Sequence, residues 1–366
     1  MSLPVFQEKL IGTTIQLVAD NLNVWNASSG GAIVMGSGTV LKDVIEKVTV
    51  GIIDGLVSDR NAYAPVGTAA DAKVLARMLT NSINLSAKVG PVAITSGMMA
   101  KIQTDVNQTA GEVSALATEA IIQHYIKGAV GAVGGALCSN AASQYTQPAR
   151  VNVTATGMKF PTLADFPLAA SLFGDAAGNI KTWAMSGTQW AQFIAYQAVP
   201  SAEKVFAIGN IEVLQDGLGR RFLISDAVGT ALADVIASST STKLGPDAII
   251  GLVPGAVAIT TTGLDMLAEQ KGGNENIERW WQGEFDFNVA VKGYRIKSSL
   301  RTEIEGLRSA KLADVSSYKN WELDQGAVDN APVKNTGGSQ KVPVKNLKET
   351  AGVLMKLTAT TAGAAV

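Results

Sequence analysis

The stretch VLQDGLGRRFLISDA, residues 213–227, sets a glycine-rich turn beside two arginines. Such a pairing could cradle a phosphate. That chemistry needs the loop to open a helix, where free N–H groups converge on the anion. Here NIEVL and RRFLIS, on either side, both read as strands, and Asp216-Gly217 is a turn signal. The segment therefore predicts a hairpin. Arg220 and Arg221 are then either solvated at the strand ends or paired with carboxylates, including those of a neighbouring chain.

Other routes to catalysis are narrow. His124 is the sole histidine and Cys138 the sole cysteine. Any Ser-His-Asp or Cys-His arrangement would have to use His124. It lies on the apolar stripe of the best-defined helix, which reads as a hydrogen-bonded or interface histidine. One His and one Cys cannot make a Cys/His zinc site. No G-x-S-x-G elbow, G-x-x-x-x-G-K-[ST] loop or EF-hand spacing occurs. The glycines of GAVGAVGGAL, 128–137, follow a helix, whereas a dinucleotide fingerprint follows a strand and opens a helix. Carboxylates close in sequence, Glu303 with Glu305 and Asp324 with Asp329, are what any chain of this size contains. The sequence thus points to no catalytic residue, no cofactor and no metal.

The elements around these residues read as follows. GEVSALATEAIIQHYIK, 111–127, places Val113, Leu116, Ala117, Ala120, Ile121, His124 and Tyr125 on one helical stripe. Beyond it Gly128, Gly131 and Gly134 recur every third residue, so one side of a continued helix would be bare and open to another backbone. Residues 1–35 lack a clean period and read as an extended, partly helical arm. Residues 40–58 are apolar and fit a helix or a strand, and 83–94 alternate like a strand. With the polar loop between them, these make an exposed hairpin or a long loop. Residues 180–195 read as a buried strand running into a helix. Residues 245–260 hold two short strands divided by Pro254-Gly255. In 279–297, Phe285, Phe287, Val289 and Val291 alternate with Glu284, Asp286, Asn288 and Ala290, a strong strand pattern. Trp280 and Trp281 before it are core or interface. Helices and strands do not alternate regularly, so the class is α+β rather than doubly wound.

Composition narrows the function. Of 366 residues, 47% are hydrophobic and 17% charged, below the usual quarter. A lightly charged chain can hide surface against other chains. Thirty basic residues face 31 acidic ones, leaving a net charge of −1. No basic nucleic-acid-reading domain or polybasic membrane patch is present. One cysteine excludes an intrachain disulfide. The start, MSLPVFQEKL, lacks the pattern of a signal peptide, and AVGAVGGAL is too short to span a bilayer. A soluble, cytoplasmically made protein is expected, with no membrane partner.

In their order along the chain, several stretches resemble the major capsid proteins of tailed bacteriophages, which share the Hong Kong 97-type fold. IIDGLVSDRNAY followed by LSAKVGPV looks like the two sides of the extended loop of such proteins. IKTWAMSGTQWAQF resembles the strand-into-helix segment after a Gly-Asp turn, here Gly174-Asp175. GLGRRFLISDA is similar to the strand that often ends in Thr-Asp or Ser-Asp. WWQGEFDFNVAVKGYRIK resembles the long closing strand. LADVSSYKNWEL and KNLKETAGVLMKL look like the C-terminal segments of one branch.

The resemblance implies an N-terminal arm (1–39), an extended loop (40–95) and a peripheral domain with a long spine helix (96–174). An axial domain (175–270), the closing strand of the peripheral domain (271–310) and a C-terminal segment (311–366) follow. It implies a structural, non-enzymatic subunit that forms pentamers and hexamers, and from them an icosahedral shell around double-stranded DNA, assembled in the host bacterial cytoplasm. Other copies of the chain are its main partners. Scaffold, portal and decoration proteins are further ones, and the DNA is touched without sequence specificity. Arg60, Arg220, Arg221 and Asp226 are the expected subunit contacts. Some relatives crosslink a lysine to an asparagine, but no motif places that pair here. A nanocompartment shell on the same fold, or an α+β enzyme of unknown chemistry, are the alternatives.

Overall fold

A computed structural model describes residues 3–38, 43–51, 62–63, 76–148, 150–151, 157–196, 203–238, 242–272, 277–324 and 346–361. Helix α1 (Leu3–Ser28) leads into strand β1 (Ile33–Ser37), followed by β2 (Val44–Gly51), β3 (Ala76–Ala93), α2 (Ser96–Thr104) and the long helix α3 (Val106–Ser139). Then come β4 (Gln144–Thr146), β5 (Arg150–Val151), α4 (Asp165–Ala170), β6 (Thr182–Met185), α5 (Gly187–Tyr196), β7 (Glu203–Ile208), β8 (Ile211–Gln215), β9 (Arg221–Ile224) and α6 (Asp226–Asp234). The remainder comprises β10 (Ile249–Leu252), β11 (Val257–Thr261), β12 (Asp265–Gly272), β13 (Ile277–Val291), β14 (Tyr294–Ile296), α7 (Ser298–Ile304), α8 (Leu312–Val315), β15 (Trp321–Leu323), β16 (Gly352–Lys356) and β17 (Thr360–Thr361). The class is α+β, as the sequence suggests.

Two larger sheets organise the molecule. The first runs β1-β11-β13-β3-β2, with β12 also paired to β13. The second runs β4-β16-β10-β6-β9-β8-β7. The strands flanking Pro254-Gly255 therefore belong to different sheets, and this turn is where the chain crosses over. In β13, Phe285, Phe287, Val289 and Val291 are all buried, as their alternation requires.

Helix α3 joins the sheets. Thr95 caps α2, accepting from the Met98 N–H, and Asp105 caps α3, accepting from the Gln108 N–H. In the second half of α3, Ala129, Val130 and Val133 meet Ile33 and Val257 of the first sheet and Ala184, Ile250 and Leu252 of the second around one apolar gap. The bare side predicted at the glycines is used for close approach. A Cβ at Gly135 would lie 2.6 Å from the Val315 carbonyl oxygen, and one at Gly134 would lie 2.8 Å from Val235.

Two expectations need correction. Residues 1–35, read as an extended, partly helical arm, are mostly one 26-residue helix. Helix α1 packs on α3, β1, β7 and β12 through one face, but that stripe is blurred in the sequence because Thr14 interrupts it and the apolar Ile15 and Val24 are exposed. Phe6, Leu10 and Trp25 are its fully buried anchors. The stripe on α3 is also rotated: Leu116 is 69% exposed, while Ser114 and Thr118 are buried. The cause is α1, which lies on that face. Small side chains let the two helices close, and the Ser114 hydroxyl donates to the Leu10 carbonyl at 3.3 Å. The first half of α3 thus buries polar atoms that a hydrophobicity count cannot place.

Candidate subunit-contact surface

Residues 213–227 form a hairpin that leads into helix α6. Strands β8 and β9 pair antiparallel, with Gln215 opposite Arg221. The intervening turn is organised by Asp216, whose side chain is fully buried. Its carboxylate accepts from the N–H groups of Leu218 (3.1 Å) and Arg220 (2.8 Å) and from the Arg220 guanidinium at 2.7 Å. Gly219 supplies the positive φ of 76° that the turn requires. The N–H groups that could have met a phosphate are already taken by a carboxylate. Arg220 lies over the Phe166 and Phe222 rings, 5.3 and 5.8 Å from their centroids. What the turn presents outward is Leu218, which is 70% exposed.

Arg221 faces the opposite way. Its guanidinium donates to the carbonyls of Ala27 (2.8 Å) and Ser28 (2.9 Å), at the C-terminus of α1, where a cation suits unpaired carbonyls and the helix dipole. The Thr182 hydroxyl donates to the Ser29 carbonyl at 2.9 Å, and Trp25 packs edge-on against Phe206. Glu119 on α3 accepts the Asn210 N–H at 3.1 Å. Together these contacts fasten the second sheet to α1 and α3.

Of the four residues singled out from the sequence, Arg220 and Arg221 are thus engaged within their own chain. Asp226 is exposed in the first turn of α6, whose N-cap is Ser225. An acidic side chain there also complements the helix dipole. Arg60 lies outside the described residues. Arg220 and Asp226 flank opposite ends of β9, so they do not form one cluster. The roles of Asp216, Glu119 and Thr182 had little sequence signal; only the Asp-Gly pair at 216–217 marked a turn.

No arrangement for catalysis emerges among the described residues. His124 is half-buried, edge-on to Phe285 and Phe287 at 6.0 and 5.7 Å, and burial, with Lys127 nearby, lowers its pKa. Burial pushes the Cys138 thiol up to about 11 and the Tyr125 hydroxyl up to about 12. Tyr125 bonds Thr261 at 2.7 Å. On a helix rising 1.5 Å per residue, His124 and Cys138 stand about 21 Å apart. The described residues contain no group of His, Cys, Asp and Glu able to hold a metal. Among them no helix is long and apolar enough to cross a membrane.

The surface feature of greatest consequence is in the first sheet. Strand β3 pairs with β13 only from Ser82 to Ala93, whereas it pairs with β2 from Ala76 to Ile83. Residues 76–80 and 47–51 are therefore a two-stranded ribbon running beyond the sheet. A two-stranded ribbon is marginal in water without a surface to lie on.

A family model described as Gp13-like, major capsid protein 13-like, matches residues 2–338. No curated protein matches the chain. Among solved structures, a chain from the cyanophage Pam1 capsid asymmetric unit is 11% identical with a TM-score of 0.42, covering 71% of this chain and 83% of that one. One from the capsid of Ralstonia phage GP4 is 10% identical with a TM-score of 0.39, covering 73% and 84%. One from Mycobacterium phage Bobi is 11% identical with a TM-score of 0.40, covering 70% and 82%. These overlaps are partial, and the family rests on the sequence-family match.

Proposed function

The chain belongs to the Gp13-like family of major capsid proteins, and from that premise we propose that it forms pentamers and hexamers that close into an icosahedral shell around the double-stranded DNA of a tailed phage. It does so as a structural subunit without enzymatic activity, in the host cytoplasm. The observation that carries this reading is the ribbon of residues 47–51 and 76–80. It extends beyond the sheet to which it belongs, and a neighbouring copy supplies the surface it needs. In this reading the first sheet, with α3 as its spine, is the peripheral domain. The second sheet is the axial domain, and its turn at Leu218, with Asp226, meets neighbouring copies. Arg220 and Arg221 contribute by holding that turn and its sheet in place.

The near-neutral chain suits a container. Phosphate contacts dominate affinity for DNA, and a net charge of −1 avoids a grip that would hinder packaging and release. Contacts to the packaged DNA are then non-specific. Scaffold, portal and decoration proteins complete the set of partners. Negative-stain electron microscopy of the purified chain, alone and co-expressed with neighbouring genes, tests the proposal. Closed shells or tubes are expected. A uniform dimer or tetramer in every condition would overturn it.

A further inference from the structure

Strand β16 lies inside the second sheet, not at its rim. It is antiparallel to β10, from Ile249 opposite Met355 to Leu252 opposite Gly352, and parallel to β4, with Leu354 opposite Gln144. Val353, Leu354 and Met355 are fully buried. The strand is held at both ends. Ahead of it, Lys348 pairs with Asp175 at 2.6 Å, and the Val253 N–H donates to the Ala351 carbonyl at 3.1 Å. Behind it, the Gln147 N–H donates to the Lys356 carbonyl at 2.9 Å, and the Thr358 N–H donates to the Gln147 side chain at 3.2 Å. The family match ends at residue 338, before β16 and the residues that flank it, whereas β4 and β10 lie within it.

Without β16, β10, whose four residues are all buried, would present an unpaired edge inside the apolar layer, and the half-buried β4 would lose its neighbour in the sheet. Unmet backbone groups in such a place are costly, and open edges invite wrong pairing. Both edges belong to parts of the chain made long before residue 352.

We infer that the space between β4 and β10 is a strand-receiving site whose ligand is the chain's own residues 346–361, and that filling it is the last step that makes the subunit fit to assemble. The site accepts an extended peptide by backbone pairing, the mode of strand addition. It selects the peptide by shape. Apolar side chains are required at 353–355, and glycine is required at 352, because a Cβ there would collide with the Gly251 carbonyl. A chain still being synthesised leaves the site open, so an unfinished subunit is kept from assembling. Control of assembly by the strand rests on the shell-building function; the strand site does not.

The test uses the full chain with a specific protease site inserted between Gly337 and Gly338. After cleavage the C-terminal fragment is expected to co-elute with the body in size-exclusion chromatography. The same chain carrying Leu354→Asp is expected to release its fragment and to form no shells. A labelled peptide of residues 346–361 should then bind that cut variant and restore assembly, whereas the peptide carrying Gly352→Val should not bind. Release of the wild-type fragment on cutting, with an unchanged melting temperature and intact assembly, would overturn the inference. Retention of the fragment in a protein that never forms shells, cut or uncut, would uphold the strand site and defeat the shell function instead.

Discussion

In the first sheet, the outer part of β3 runs on past its last partner in β13 with β2 alongside, a ribbon whose two strands pair with each other alone among the described residues. In the second sheet, β10, β6 and β9 are flanked on both sides, and even the C-terminal residues are drawn in as an interior strand. One region has paired backbone extending outward; the other has consumed its own edges except at β4 and β7. The difference teaches where each draws its stability. The second sheet depends on its own core, and the ribbon depends on what it lies against.

Substitutions that separate these two sources should show the contrast, beginning with the largest effect on the lone subunit. Phe222 is fully buried among Phe166, Trp190 and Phe193. Phe222→Ala should destabilise the isolated chain by about 3–5 kcal/mol, measured by denaturant unfolding. Gly135→Ala, where the spine meets the Val315 carbonyl, should cost about 1–3 kcal/mol through overpacking. Val48→Pro removes a donor from the ribbon. It should cost the lone subunit about 0.5 kcal/mol or less, yet reduce shell yield severely in sedimentation of assembled particles. Equal damage to stability from Val48→Pro and Phe222→Ala would erase the distinction.

The smallest effect expected is a pH dependence. Burial, with Lys127, lowers the pKa of His124 in the folded chain. The unfolded chain therefore binds the proton more readily, so this residue's contribution to stability is present at neutral pH. It is lost as pH falls below the ordinary histidine value of about 6.5. Melting temperatures of wild type and His124→Gln should converge or cross as the pH is lowered from 7.5 to 5.5. A constant difference over that range would show that the proton on His124 plays no part.

The sequence made some of this readable and left some dark, for physical reasons. Strand β13 was plain because one face is buried, so alternation survives in Phe285, Phe287, Val289 and Val291. Helix α3 was plain in kind, but its buried face was not. Ser114 and Thr118 sit where α1 crosses, and nothing local announces a crossing helix. Helix α1 was obscured because a polar Thr14 interrupts its one buried face while the apolar Ile15 and Val24 are exposed. Gly128, Gly131 and Gly134 signalled close approach without naming Phe287, Ser316 or Val235 as what approaches. Strand β16 was the least readable in its role, since its neighbours in the sheet lie far away in sequence. At the candidate contact surface, the hairpin and its turn could be read. The inward pairing of Arg221 with the end of α1 could not, because it depends on a tertiary neighbour, whereas that of Arg220 with Asp216 is local, four residues apart within the turn.

Backbone hydrogen exchange of residues 47–51 and 76–80, compared between the isolated subunit and the assembled particle, tests the central claim most directly. The ribbon amides should exchange quickly in the subunit and become strongly protected in the particle, while those of β6, β9 and β10 stay protected in both. Ribbon amides protected equally in the two states would contradict the account, since the ribbon would then need no neighbour.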